Sequence, residues 1–290
     1  MTWRIQYALL ALTWGSSFWF IKLGLESFSA VQVGFLRVTL GALTLLVLSA
    51  VTKTPIVRDI RLLGHLFVLA LCLNSAPGVL FAFGETHISS VLAAILNATT
   101  PLATLVMTLL LFRDQKPTRS QQLGLLVGFA GVLTVLGVWQ GLGSNALVGI
   151  AACLLAVTGY GISFPYSRRF VASTTYSRTS IATAQVTLGA LQLLPVMLVV
   201  DHSFVTPQVD SAVAMLVLGA LGSGIAYVWN YTVIMQAGAT VASTVTYWTP
   251  LVAVVAGIAF LGEQITWYEP VGALVVLLGV AVSQGRLRRS

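Results

Sequence analysis

Charge is what this chain most lacks. Of its 290 residues only 8% are Asp, Glu, Lys or Arg, 15 basic and 8 acidic, against roughly a quarter in soluble domains. That scarcity excludes a water-soluble globular fold, which needs polar side chains to cover its surface. Cysteine is nearly missing as well: Cys72 and Cys153 both stand inside apolar runs, which leaves them as small packing residues rather than a disulfide framework or a thiolate metal site. His65, His87 and His202 have no metal-ligand spacing. No phosphate-cradling glycine loop, His-Glu-x-x-His helix or nucleophile elbow occurs. The net charge of +7 has no soluble face on which to cluster, so nucleic acid is not an expected partner. No metal or cofactor is expected either.

What the chain does have is apolar side chain, 57% of residues with a mean hydropathy of +0.93. One core of this length could not hide so much from water, so the solvent is lipid. A helical crossing takes about 20 residues. Apolar runs broken by charge, Gly or Pro predict ten spans near 3–24, 30–51, 61–84, 88–112, 119–138, 146–168, 179–200, 210–236, 240–261 and 267–285. The runs are continuous rather than alternating, which excludes barrel strands. The uncharged stretch from Ile5 to Ile21 lacks a small-residue cleavage site and is expected to stay as the first span. The fold class is therefore an all-α integral membrane protein.

The few charges fix an orientation. With the N-terminus in the cytoplasm, 13 of the 15 basic residues fall inside: Arg4, Lys53, Arg58, Arg61, Arg113, Lys116, Arg119, Arg168, Arg169, Arg178, Arg286, Arg288 and Arg289. Only Lys22 and Arg37 are left over, while Glu26, Glu85, Asp201, Asp210, Glu263 and Glu269 fall outside. The positive-inside rule then predicts that both termini are cytoplasmic.

The second half repeats the first. VTLGALTLL at 38–46 returns as VTLGALQLL at 186–194, an offset of 148. The same relation, within a residue or two, pairs Trp14-Gly15 with Tyr160-Gly161 and Thr100-Pro101 with Thr249-Pro250. It also pairs Asp114 with Glu263, and Gly124 and Gly131 with Gly272 and Gly279. Halves at 1–138 and 139–290 hold five spans each. An odd number turns the second copy over, so a 5+5 inverted repeat with a midplane site between the halves is expected.

The segments LTWGSSFWFIKLGL (12–25), FLRVTLGAL (35–43), TTPLATLVMTLLLFRD (99–114) and WTPLVAVVAGIAFLGE (248–263), with the glycine-rich tails at 124–137 and 272–283, resemble the EamA-like members of the drug/metabolite transporter superfamily. The resemblance covers essentially the whole chain. It implies a ten-helix carrier, often an exporter of amino acids or other small metabolites from bacteria, with spans one to four and six to nine around a cavity and the fifth and tenth outside it. The repeat departs from symmetry at one position: Arg37 in the first copy answers to Gln185 in the second.

Several residues could carry transport. An ionisable group inside lipid is costly, about 2.5 to 3.5 kcal/mol for Arg on insertion scales. Arg37 is therefore either bonded to helix carbonyls or Glu26, or it attracts an anionic solute. Lys22 reads as a solvated anchor near the outer surface. Pro101 and Pro250 break their helices and free the carbonyls of Asn97 and Thr246, which line a cavity or simply kink the chain. Trp14 with Phe18, and Tyr160 with Phe164, share helix faces at equivalent repeat positions. Tyr227 and Asn230 share another, and Tyr247 and Trp248 precede Pro250; each of these aromatics is a pocket candidate or an interfacial side chain. Asn74 follows the Leu73 carbonyl freed by Pro77, as a cavity residue or an interhelical bond. Gly124 and Gly128 form a GxxxG pair for packing within the chain or in a dimer.

Expected, then, is a carrier for amino acids or related metabolites, alternatively for drugs or lipid metabolites. It is expected in a bacterial inner membrane, as a monomer or weak homodimer. A channel would show a pore loop, and an enzyme a nucleophile with its base. Phosphorylated solutes would need several cations in the pocket. With the acids placed at the two surfaces, no carboxylate is expected at the midplane to drive transport, and Glu85 is the nearest exception.

Overall fold

The computed structural model describes residues 2–111, 118–140, 144–171, 173–201, 203, 206–237, 241–242 and 244–283. Arg113, Asp114, Lys116, Arg286, Arg288 and Arg289, which entered the charge balance or the repeat, and His202 lie outside the described residues. Among those described there is no strand. The long helices are α1 (Trp3–Gly24), α2 (Ala30–Val51), α3 (Ile60–Glu85), α4 (Ser90–Leu111), α5 (Arg119–Val135), α6 (Ser144–Phe170), α7 (Arg178–Val200), α8 (Val209–Ala237), α9 (Thr249–Leu261) and α10 (Tyr268–Ser283). In lipid every backbone group must be bonded within the protein, which is why apolar runs of this kind become helices. Their starts are set by small polar caps. Ser29 and Thr118 form capping boxes with Gln32 and Gln121, and the side chains of Asp59, Ser89 and Ser177 accept from the first turns of α3, α4 and α7.

By length and hydropathy seven segments qualify as membrane spans: α2, α3, α4, α6, α7, α8, and α9 with its leading turn from Thr244. The expectation of ten is thus met in part. α5 and α10 are short, at 17 and 16 residues, and α1 is diluted by Arg4, Gln6, Thr13, Ser16, Ser17 and Lys22. The outward faces are strongly apolar, with Val51, Leu126, Phe129, Val199, Phe260 and Leu274 all more than 60% exposed, a surface that suits lipid rather than water.

Two features interrupt the regular helices. α3 widens into a π-helical stretch at Leu71–Ser75 and α8 into another at Leu218–Ile225, near-equivalent positions in the two halves. Such bulges free carbonyls for other partners and frequent functional sites. α4 breaks after Asn97 and resumes at Thr100, and a 3-10 turn at Thr244–Tyr247 leads into α9. Pro101 and Pro250 therefore each sit at the second position of a restarted helix, where a missing N–H is tolerated.

Packing between the halves is reciprocal. α5 and α10 make the most extensive helix contact, and a methyl added to Gly124, Gly131, Gly272 or Gly279 would come within 3.0 Å of a backbone oxygen of Gly279, Gly272, Gly131 or Gly124 respectively. Only glycine lets two backbones approach so closely. Gly124 and Gly128 thus serve packing within the chain. Gly15 on α1 abuts Val252 on α9, and its counterpart Gly161 on α6 abuts Ala103 on α4.

Candidate functional site

The buried side chains form two main clusters. One joins α2, α3, α7 and α8 around Leu45, Leu66, Ile181 and Tyr231; the other joins α1, α3, α4 and α6 around Phe18, Phe81, Leu96 and Val157. Between them lies a cavity whose empty space, open solvent at its mouth included, is about 540 Å³. α1 contributes Trp14, Ser17, Phe18 and Ile21 to its wall, α2 Arg37, α3 Leu73 and Phe81, α4 Asn97, α6 Tyr160 and Phe164, α8 Tyr227, and the turn before α9 Thr246. Among the described residues, α5, α7 and α10 supply none to the wall.

Arg37 is the only charged residue in that wall among those described. It is 8% exposed and donates from Nε to the Ser223 hydroxyl in the α8 π-stretch at 3.1 Å. This is neither of the partners expected for it, helix carbonyls or Glu26. The pattern of contacts repeats in the other half: Gln185, the counterpart of Arg37, donates to the Asn74 side chain in the α3 π-stretch and accepts from Tyr231. The fold therefore places a neutral, doubly bonded amide where its twin holds a cation at a cavity wall. Asn74 and Asn230 are not wall residues. Asn74 is bound to Gln185 behind the wall, and Asn230 is 1% exposed with its Oδ1 unpartnered.

The aromatic residues are tied down by the same irregular backbone. Trp14 donates from Nε1 to the Gly222 carbonyl at 3.1 Å and meets Tyr227 edge-on at 5.8 Å between ring centres. Tyr227 in turn donates to the Leu73 carbonyl at 2.9 Å, the one freed by Pro77. The carbonyls freed by Pro101 and Pro250 are also capped: the Thr100 hydroxyl donates to Asn97 O at 2.7 Å and the Thr249 hydroxyl to Thr246 O at 2.9 Å. The breaks thus do not leave bare acceptors in the cavity. Asn97 Nδ2 reaches Thr249 Oγ1 at 3.3 Å, so the two breaks are bridged to each other. Trp248 points away, 52% exposed, because two steps along a 3-10 turn carry it round from the face of Thr246.

At the end of the bundle where α1 and α3 stop and α4 begins, two surface expectations are corrected. Lys22 is not a free anchor: its Nζ donates to the backbone oxygens of Glu85 at 2.7 Å and Ile88 at 3.4 Å. Glu85 is fully buried, and neither carboxyl oxygen has a hydrogen-bond partner. Hydropathy locates it correctly along α3; the covering by Lys22 and the α3–α4 connection is what a one-dimensional reading misses. Glu263 accepts from the N–H groups of Ser90 at 2.9 Å and Val91 at 3.1 Å, closing the start of α4 with a carboxylate where the helix dipole favours one. Ser17, Ile21, Leu73 and Phe81 join the cavity without having been singled out for it, and Phe18 joins it beside Trp14, whose helix face it shares.

Comparison with known proteins agrees with this architecture. The model of the EamA-like transporter family matches twice, over residues 1–137 and 147–284. The chain belongs to the EamA-like transporter family. That family consists of transporters rather than enzymes, and its membership together with the apolar helices makes this a multi-pass membrane protein. A protein of Streptantibioticus cattleyicolor described as a probable terminal-alkyne amino-acid exporter is 26% identical over 96% of this chain and 92% of its own length. The Bacillus subtilis transporter YdfC, itself uncharacterised, is 23% identical over 95% of this chain and 89% of its own. A crystal structure 15% identical in sequence superposes with a TM-score of 0.68 over 98% of this chain and 97% of that one, a likeness of fold alone.

Proposed function

We propose that this EamA-like protein is a secondary carrier exporting amino acids or closely related small metabolites by alternating access. The carrying observation is a single cation, Arg37, in a cavity otherwise walled by aromatic, aliphatic, amide and hydroxyl groups among the described residues. One guanidinium suits one carboxylate, and the aromatic walls suit an apolar side chain on the same solute. The relative described as an amino-acid exporter supports that choice. Trp14, Arg37, Asn97, Tyr160, Phe164, Tyr227 and Thr246 are the proposed contacts, with Asn74 and Asn230 acting from behind the wall.

The two family matches and the reciprocal glycine contacts support reading residues 1–138 and 139–290 as five-helix halves related by a pseudo-two-fold. Gly124 meets Gly279 and Gly131 meets Gly272, so α5 and α10 run antiparallel. Two helices exchanged by a two-fold and running antiparallel put its axis across them, in the membrane plane, which is the inverted-repeat arrangement. On this reading all ten helices cross, both termini are cytoplasmic, and the protein works in a bacterial inner membrane as a monomer or weak homodimer.

An enzyme is disfavoured because the cavity serine, Ser17, donates to Thr13 O at 2.9 Å in its own helix, and among the described residues no His, Asp or Glu shares the wall. The aromatic wall favours a second reading, efflux of drugs or lipid metabolites, and Arg37 argues against cationic ones. The test is counterflow in proteoliposomes loaded with unlabelled amino acids. Saturable exchange of a labelled zwitterion with an apolar side chain is expected. Exchange of apolar neutral compounds with none of any carboxylate would replace this reading with the second.

A further inference from the structure

We infer that Glu85 is a proton site that opens and closes one end of this carrier, an inference that rests on the transport reading above. Phe81, one helical turn before it on the same face of α3, lines the cavity and meets Phe18 edge-on at 5.5 Å. Glu85 therefore sits behind the cavity's end wall, where α1, α3 and α4 converge. It is 0% exposed, with both carboxyl oxygens unpartnered, and it is the only buried carboxylate among the described residues.

Every neighbouring charge is committed elsewhere. The charged groups whose fields reach Glu85 are Lys22 from α1, Glu263 from beyond α9 and Arg37 from α2; from α6 the thiol of Cys153 faces it. Lys22 is spent on backbone oxygens, Arg37 on Ser223 and Glu263 on the first N–H groups of α4. His87, two residues along the chain, is held by Thr86 and the Phe83 carbonyl. An ionised carboxylate left without a partner in such a place is far costlier than a neutral carboxylic acid, so the packed arrangement holds Glu85 with its proton on.

Parting of α1 from the α3–α4 connection changes that balance. The Lys22 ammonium leaves the two carbonyls, water enters, and the carboxyl gives its proton to that water, with Lys22 the nearest cation to receive the carboxylate. Closure reverses the step: a proton from the same compartment returns to Glu85 before it is buried. A group that binds a proton in one conformation and releases it in the other biases the equilibrium between them. Acid on that side favours closure and alkali favours opening. In the orientation proposed above, that side is the outside.

Infrared spectroscopy of the full chain in nanodiscs tests this without any solute. A protonated-carboxyl band is expected at neutral pH, fading as the pH rises and missing in Glu85→Gln. In parallel, Ile21→Cys in a Cys72→Ala background places a thiol just inside the closure. At one fixed alkaline pH, at which the wild-type band has faded, a membrane-impermeant reagent should label it severalfold more slowly when Glu85→Gln, the neutral mimic, is added. Absence of the wild-type band, or a band that stays constant with pH, overturns the inference; so does equal labelling. If Glu85→Gln does not fold, the wild-type titration and its shift in Glu85→Asp decide alone. Failure of amino-acid counterflow with the band and its titration intact would count against the solute assignment and leave the proton site standing.

Discussion

Arg37 and Gln185 occupy matching places and make matching bonds, to Ser223 and to Asn74, which provides an unusually clean substitution. Gln at position 37 reproduces what the other half already tolerates, so Arg37→Gln is expected to accumulate and keep its melting temperature while losing counterflow of carboxylate solutes. Normal exchange by the variant would remove Arg37 from recognition, and failure to accumulate would make it a structural residue. Much of this wall was legible from the residue pattern, since Trp14, Tyr160 and Phe164 stand at equivalent positions on shared faces. What was not legible was azimuth. Sequence position told how far along α3 Glu85 lies, yet only the neighbouring chain makes it buried. Asn74 falls in a π-stretch, whose wider turn shifts the facing of everything in it, and Trp248 follows a 3-10 turn, whose tighter one does the same in the other direction.

The broken elements share one chemical solution. A proline removes an N–H and leaves a carbonyl four residues back without its donor, and three such carbonyls here are capped by hydroxyls: Leu73 by Tyr227, Asn97 by Thr100 and Thr246 by Thr249. For the two threonines the cap lies immediately before the proline that creates the need. Thr100→Val should therefore cost about 1–3 kcal/mol, the usual penalty for a buried polar group left unpaired. In the Thr100→Val, Pro101→Ala double variant the backbone N–H restored at position 101 can serve the same carbonyl, and most of that loss should return. Thermal unfolding of the four proteins in one detergent measures the coupling. Additive losses would mean that the hydroxyl is not acting as the cap. The proline breaks were visible in the sequence; the hydroxyl partners were not, because hydropathy treats threonine in a helix as indifferent.

At the scale of the whole molecule, the distribution of basic residues predicts which loops face which compartment. Thr52→Cys, beside Lys53 at the end of α2, and Ser144→Cys, at the start of α6, should be labelled from opposite sides of the membrane in a background without native cysteines. Only Ser144→Cys should react with an impermeant reagent applied from outside. The reverse result would invert the orientation, and labelling of both from one side would contradict five crossings in each half.

The reciprocal seam between α5 and α10 also bears on symmetry. Each half offers the other the same notches, Gly124 and Gly131 against Gly279 and Gly272, so either half is self-complementary toward an overturned copy of itself. Such a surface is what a gene duplicated from an antiparallel pair of identical subunits would leave behind. In a pair of identical subunits any side chain facing the cavity would come in twos, and the site would bind a solute equally well in the two orientations that the axis exchanges. A single chain carries no such constraint, because each copy can differ from the other. Position 37 holds a cation where its twin at 185 holds an amide, so the two ends of the cavity now differ in charge.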